Sequence, residues 1–174
     1  MSKLKTPVTE QDHVTGNPKA SIVLVEYGDY QCPHCGLAHP LLKKLLKQFD
    51  KELSLVFRNF PLQEIHPQAL ISAQAAEAAD KQDKFWEMHD TIFENQGILS
   101  ASNLLHFAKN LHLDMQKFAE DWKSKGALTR VETDFESGIR SGVNGTPTFF
   151  INGTRLETYD ETYESLARAI RDAE

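Results

Sequence analysis

Cysteine is scarce in this chain. There are two, Cys32 and Cys35, set within one four-residue stretch. A structural disulfide framework needs more of them, spread along the chain. A bridge this local closes too small a loop to restrain the unfolded chain much. Reactivity or metal binding are therefore the better reasons for the pair. Long apolar runs are also missing, so no segment can span a bilayer. Positive charge is not in excess: 19 Lys and Arg stand against 25 Asp and Glu, a net charge of −6. Nucleic acid and anionic membranes are thus not expected as main partners. Basic residues open the chain at Met1–Pro7, but no apolar stretch follows them as in a secretory signal. As written, the chain is expected to be cytoplasmic, and periplasmic or otherwise extracytoplasmic if a leader has been removed. Internal repeats and low-complexity segments are absent too.

What is present suits one domain: 174 residues with 40% hydrophobic content can bury a proper core. Residues 1–20 are polar and hold the turn formers Gly16-Asn17-Pro18. They read as an arm with one short strand around His13-Val14. Ser21–Tyr27 is β-branched and nearly continuous in apolar residues, as in a strand buried on both faces. From Leu37 to Phe49, Leu41, Leu42, Leu45, Leu46 and Phe49 recur at helical spacing, with lysines opposite. Leu53–Phe60 returns to strand character. From about Pro67 to Ser141 every apolar pattern is helical, beginning with the Ala-rich 69–79. Ser100 and Asp114 are placed to cap two of these helices. Thr148–Ile151 then reads as a strand, Asn152-Gly153 as a two-residue turn and Thr154–Leu156 as its partner strand. Asp160 is placed to cap a last helix bearing Leu166 and Ile170. The order β-α-β, a helical block, β-β-α divides the chain into an arm (1–20), an α/β domain (21–66 and 142–174) and an inserted helical subdomain (67–141).

Cys32-Pro33-His34-Cys35 falls between the end of a buried strand and the start of a helix. Two cysteines three apart across a first helical turn can close a disulfide. Pro33 suits the first helical position, where no N–H is needed. Cys32 then lies where free backbone N–H groups and the helix dipole stabilise a thiolate, the attacking species in disulfide exchange. His34 can add a hydrogen bond or a positive charge to the same sulfur. Cys32 is expected to be the exposed nucleophile and Cys35 the buried resolving thiol. The competing reading is half of a zinc site, which needs two more ligands. No second Cys-x-x-Cys exists, and His39 is the sole histidine close enough in sequence to serve. No metal and no cofactor is expected.

In these features the sequence resembles the DsbA-like branch of the thioredoxin superfamily. The resemblance rests on the strand Val23-Leu24-Val25-Glu26-Tyr27, the Cys-Pro-His-Cys after it, and the helical insertion with Asp83-Lys84-Phe85-Trp86-Glu87-Met88-His89-Asp90. Near the end it rests on Gly145-Thr146-Pro147-Thr148-Phe149-Phe150-Ile151-Asn152-Gly153. It implies a thioredoxin fold, α/β around a mixed central sheet with a helical insertion. It makes Pro147 a cis-proline beside the sulfurs, with the Thr146 backbone free to pair with an extended substrate as an added strand. The alternative is an ordinary trans proline opening an edge strand. It also makes Glu26 a buried carboxylate of raised pKa that exchanges a proton with Cys35. A Glu26 that points outward or pairs with a lysine such as Lys51 is the alternative. Tyr27, Tyr30 and Phe150 are expected to pack near the motif.

The activity so implied is thiol–disulfide oxidoreduction with protein thiols or disulfides as substrates, and a redox partner protein or glutathione to reset the pair. Its direction stays open: the best-known oxidant of this branch carries Val where Thr146 stands, and disulfide isomerases of the superfamily carry Thr. The second reading is a thioredoxin-fold module that holds a metal or a partner protein without turnover. A glutathione-linked transferase is a third, and Cys35 counts against it.

Overall fold

The computed structural model describes residues 2–173. Five strands form one mixed sheet in the order β1-β3-β2-β4-β5. Strand β2 (Ile22–Gly28) runs parallel to β3 (Leu53–Asn59), joined by helix α1 (Pro33–Gln48). Strand β4 (Thr148–Ile151) pairs antiparallel with β2, and the two-residue β5 (Thr154–Arg155) with β4. Strand β1 (His13–Gly16) closes the other edge against β3. This is the expected thioredoxin-type α/β arrangement. Between β3 and β4 lie α2 (Ala69–Asp80), α3 (Phe85–Glu94), α4 (Ala101–Asn110), α5 (Met115–Trp122) and α6 (Lys125–Arg140), and α7 (Tyr163–Arg171) ends the chain.

The alternation of β2 divides the core. Ile22 and Leu24 point to the face covered by α1 and α7, where Leu42, Leu45, Leu166 and Ile170 meet them. Val25 and Tyr27 point to the opposite face, with Val56, Phe60 and Phe150. Every residue of β3 is buried, as a central strand covered on both faces requires. A third cluster, built on Ala73, Ala76, Met88, Ile92, Leu104 and Phe118, fills the space among α2–α5. No helix among the described residues is long and apolar enough to cross a membrane.

The Asn152-Gly153 turn has φ of 47° and 77°, the two positive values that a type I′ hairpin needs. Ser100 and Asp114 cap α4 and α5 as expected, through the amides of Asn103 and of Gln116 and Lys117. Other boundaries differ. Helix α1 starts four residues earlier than the leucine pattern, because Pro33 opens it. The last helix is capped by Thr162, not by Asp160. Asp160 instead accepts hydrogen bonds from the amide and hydroxyl of Thr162, one step back along the same turn.

The N-terminal segment is held at Leu4 by the Gly153 carbonyl and, further on, by a buried arginine. Arg58, on β3, donates to both carboxylate oxygens of Asp12 at 2.8 and 3.1 Å, to the carbonyls of Thr6 and Pro7, and to the Tyr27 hydroxyl. Arg58 is 2% exposed, so its charge depends on these partners. Removing one partner of a buried pair leaves the other charge uncompensated, at about 3–5 kcal/mol. Asp12→Ala is therefore expected to lower stability by roughly that amount, read as a lower urea midpoint with the slope unchanged.

Candidate active site

Strand β2 ends at Gly28, and four residues later Cys32 serves as the N-cap of α1, extended at φ −67° and ψ 121°, with Pro33 in the first helical position. The intervening loop is held by Asp29. Its carboxylate, fully buried, accepts from the amides of Gln31 and Leu62 at 2.8 and 2.9 Å and sits 2.7 Å from Nδ1 of His66. The amide of Asp29 lies 3.5 Å from the Cys35 sulfur.

The Thr146–Pro147 peptide is cis, and the Thr146 carbonyl oxygen stands 3.3 Å from the Cys32 sulfur. Pro147 and Thr146 thus lie beside the Cys32 sulfur. The Thr146 hydroxyl is buried without a partner in hydrogen-bond geometry, free to turn toward that sulfur.

The two thiols are free and electrostatically unlike. Cys32 is lowered from its ordinary value near 9 to about 5. The Cys35 thiol donating to its sulfur contributes most. Partial burial works against this, while Thr146 and the amides of Cys35 and His34 add to it. Cys35 moves the other way. Burial is the largest cause, followed by its bond to Cys32 and the charges of Glu26 and Cys32. Glu26 is 1% exposed. It is pushed up to about 8, mainly by burial and then by the Cys32 charge. Its Oε1 has no hydrogen-bond partner. At neutral pH the site therefore favours one thiolate, one thiol and a largely protonated carboxyl.

Two sequence expectations need correction. Cys32 is not an exposed thiol: it is 3% exposed, against 0% for Cys35, because the Thr146–Pro147 segment lies against its sulfur. The His34 imidazole does not turn to the sulfur. Its Nδ1 meets Oε1 of Glu161 at 2.5 Å, a carboxylate being the stronger partner for an imidazole half in solvent. Only the His34 backbone amide acts on Cys32.

His39, the candidate third zinc ligand, also faces elsewhere: its Nε2 approaches Asp90. No cluster of potential metal ligands among the described residues includes either cysteine.

Sequence reasoning missed Gln96. Its side-chain amide donates to the carbonyls of Tyr30 and Cys32 at 2.9 and 2.8 Å. A Cβ on Gly36 would sit 2.3 Å from the Gln96 side-chain oxygen, so Gly36 makes room for this clamp. No local signal marks Gln96, since it acts across 64 residues. Asp29 carried one: an acidic residue just past a buried strand, two before an amide it can accept from. Tyr27, Tyr30 and Phe150 are buried; Tyr30 shares a core cluster with both cysteines and packs against Phe57 and Phe93, whereas Tyr27 and Phe150 belong to a separate cluster.

Comparison with known proteins agrees with this fold. The chain matches the family model described as thioredoxin over residues 8–172. Its fold is similar to BdbD from Bacillus subtilis, with a TM-score of 0.86 at 22% identity, covering 99% of this chain and 97% of that one. It is also similar to the thiol–disulfide exchange protein alpha-DsbA2 from Wolbachia pipientis, with a TM-score of 0.80 at 21% identity over 95% and 88% of the two chains. The chain belongs to the thioredoxin family, whose model it matches over nearly its whole length. Among curated sequences it is 43% identical over 98% of its length to Na(+)/H(+) antiporter NhaA 1 of Salinispora arenicola. It spans only 26% of that relative, and 25% of the similar antiporter NhaA of Herminiimonas arsenicoxydans, to which it is 39% identical.

The unlike thiols give a direct test. In the reduced protein, Cys32 is expected to react with iodoacetamide first. Its rate should be nearly flat above about pH 6 and fall as the thiolate is protonated near pH 5. Mass mapping of the first alkylated residue checks the order, and Cys35 labelled first would contradict it.

Proposed function

We propose that the chain is a thiol–disulfide oxidoreductase that exchanges disulfides with protein substrates through Cys32 and Cys35. The observation that carries this reading is the low-pKa Cys32 sulfur at the start of α1 beside the Thr146 carbonyl, backed by a buried Cys35. In the oxidising direction a substrate thiolate attacks the Cys32 sulfur of the Cys32–Cys35 bridge. The S–S bond breaks, Cys35 leaves as a thiolate, and a mixed disulfide forms at Cys32. A second substrate thiolate then attacks the substrate sulfur, releasing Cys32. The substrate loses two electrons and the cysteine pair gains them. In the reducing direction Cys32 attacks a substrate disulfide and Cys35 resolves the intermediate.

Cys35 must gain or lose a proton in either direction, and solvent does not reach it. Glu26, buried nearby with a pKa of about 8, is the group in position to hold that proton. The substrate's own backbone has a docking edge at Thr146, where an extended segment adds as a strand. Pro147 forms the wall beside it, and Pro33 fixes the first turn that aims Cys32.

A lowered nucleophile pKa favours the reduced pair and leans toward an oxidising role. Equilibration against a glutathione buffer decides the direction: about −120 mV marks an oxidant and about −270 mV a reductase. Cys32→Ser is expected to abolish turbidity development in a dithiol-driven insulin assay. Cys35→Ser should instead trap a mixed disulfide visible on a non-reducing gel. Full activity in Cys32→Ser would overturn the proposal. Glu26→Gln should slow resolution by about a hundredfold at neutral pH, the scale of a lost general acid–base group, while leaving the initial alkylation rate of Cys32 within a few-fold.

The antiporter relatives favour a second, compatible reading, in which the chain serves as a redox or binding module beside a membrane transporter. Co-purification of a Cys35→Ser trap with such a transporter, lost on reduction, is the outcome that supports it.

A further inference from the structure

We propose a divalent transition-metal site, separate from the cysteines, formed by His39 of α1 with His89 and Asp90 of α3. One donor atom from each of the three lies within 4.8 Å of the others. They line a cleft of about 240 Å³ between the two helices, walled by Leu42 and Trp86. Nε2 of His39 is 3.4 Å from Oδ1 of Asp90. That is close to the edge of a tetrahedron whose metal–ligand bonds are about 2.1 Å. The His39 and His89 ring centroids are 5.4 Å apart.

Two further observations point to a ligand. First, Nε2 of His39, on a residue only 7% exposed, makes no aligned hydrogen bond, although Oδ1 of Asp90 stands at 3.4 Å. A buried polar atom left unsatisfied needs an explanation, and a metal ion supplies one. Second, the other nitrogen of His89 is already committed. Its Nδ1 lies 3.0 Å from the hydroxyl of Tyr30, itself 1% exposed. A metal on Nε2 requires the tautomer in which Nδ1–H donates to the Tyr30 hydroxyl, and the contact allows it.

Lys43 lines the same cleft. It contacts the other carboxylate oxygen of Asp90, Oδ2, at 2.6 Å, and also Glu94. It therefore orients the carboxylate while Oδ1 stays toward His39. The second cluster of this kind, His13 with Glu77 and Asp80, differs here. His13 already spans both oxygens of Glu77, Arg130 stands 4.0 Å away, and no nitrogen of His13 is orphaned. Two imidazoles and one carboxylate select a borderline cation such as Zn²⁺ over Mg²⁺ or Ca²⁺. Three protein ligands leave a fourth position for water.

The test uses the full chain with Cys32→Ser and Cys35→Ser, so that no thiolate competes for metal. Titration with Co²⁺ is expected to give visible d–d bands saturating at one equivalent, without a thiolate charge-transfer band, and Zn²⁺ should displace it. Asp90→Asn and His39→Gln, each checked for native circular dichroism, should weaken binding by about tenfold or more. Asp90 is the safer of the two positions, because its side chain is 34% exposed. Absence of saturable Co²⁺ binding, or binding that both folded variants leave unchanged, overturns the proposal.

Discussion

The site depends on where β2 ends. That strand is the hinge of the sheet, parallel to β3 on one side and antiparallel to β4 on the other. Its C-terminal end therefore brings together two chain segments more than a hundred residues apart. One is the start of α1, with Cys32 at its cap. The other is the Thr146–Pro147 segment that leads into β4, whose carbonyl faces the Cys32 sulfur at 3.3 Å. Neither segment makes a site alone. A helix start without the second wall is an exposed thiol, and the proline loop without the helix is an edge. The register Glu26↔Phe149 and Tyr27↔Thr148 is what fixes their distance, since a one-residue slip would turn every side chain of β4 to the other face.

The same placement sorts the charges. Cys32 lies at the cap of α1, where amides of the first helical turn and the Cys35 thiol can reach its sulfur. Cys35 and Glu26 lie beneath it, and burial opposes a charge on either. A negative charge on Cys32 raises both neighbours further, so ionisation of one discourages ionisation of the rest. This is the asymmetry a two-thiol exchange needs: one sulfur ready to attack or to leave, the other kept as a thiol until a proton acceptor is at hand.

The sequence made much of this legible, and for identifiable reasons. Strands buried on both faces show as apolar runs, so β2 and β3 stood out, as did the Asn152-Gly153 turn with its demand for positive φ. Cys32-Pro33-His34-Cys35 was readable because its geometry is local: cap, first-position proline and second cysteine lie within one helical turn. What stayed hidden was decided by residues far apart in sequence. The turn of His34 toward Glu161 spans 127 residues, and no local pattern ranks a carboxylate over a sulfur as its partner. The burial of Cys32 likewise follows from a segment 114 residues away. His39 was singled out for its nearness to Cys35 in sequence, but its ring faces α3 instead, toward Asp90.

The helices between β3 and β4 do more than cover one side of the sheet. Tyr30, two residues before Cys32, is held by them at three points. Its carbonyl accepts from Gln96, its hydroxyl meets His89, and its ring packs on Phe93. Gln96 also takes the carbonyl of Cys32 itself. Gly36 is the complement of that clamp, because any side chain there would displace the Gln96 amide. The loop that aims the Cys32 sulfur is thus anchored from α3 and the turn after it, not from the sheet alone. Substitutions there can alter the geometry of Cys32 without touching a substrate, through the hydrogen bonds that fix its backbone. The tightness of this coupling also ties the His39–His89–Asp90 cluster to the thiol site: Tyr30 is a neighbour of both, and whatever fixes His89 fixes the residue that precedes Gln31 and Cys32.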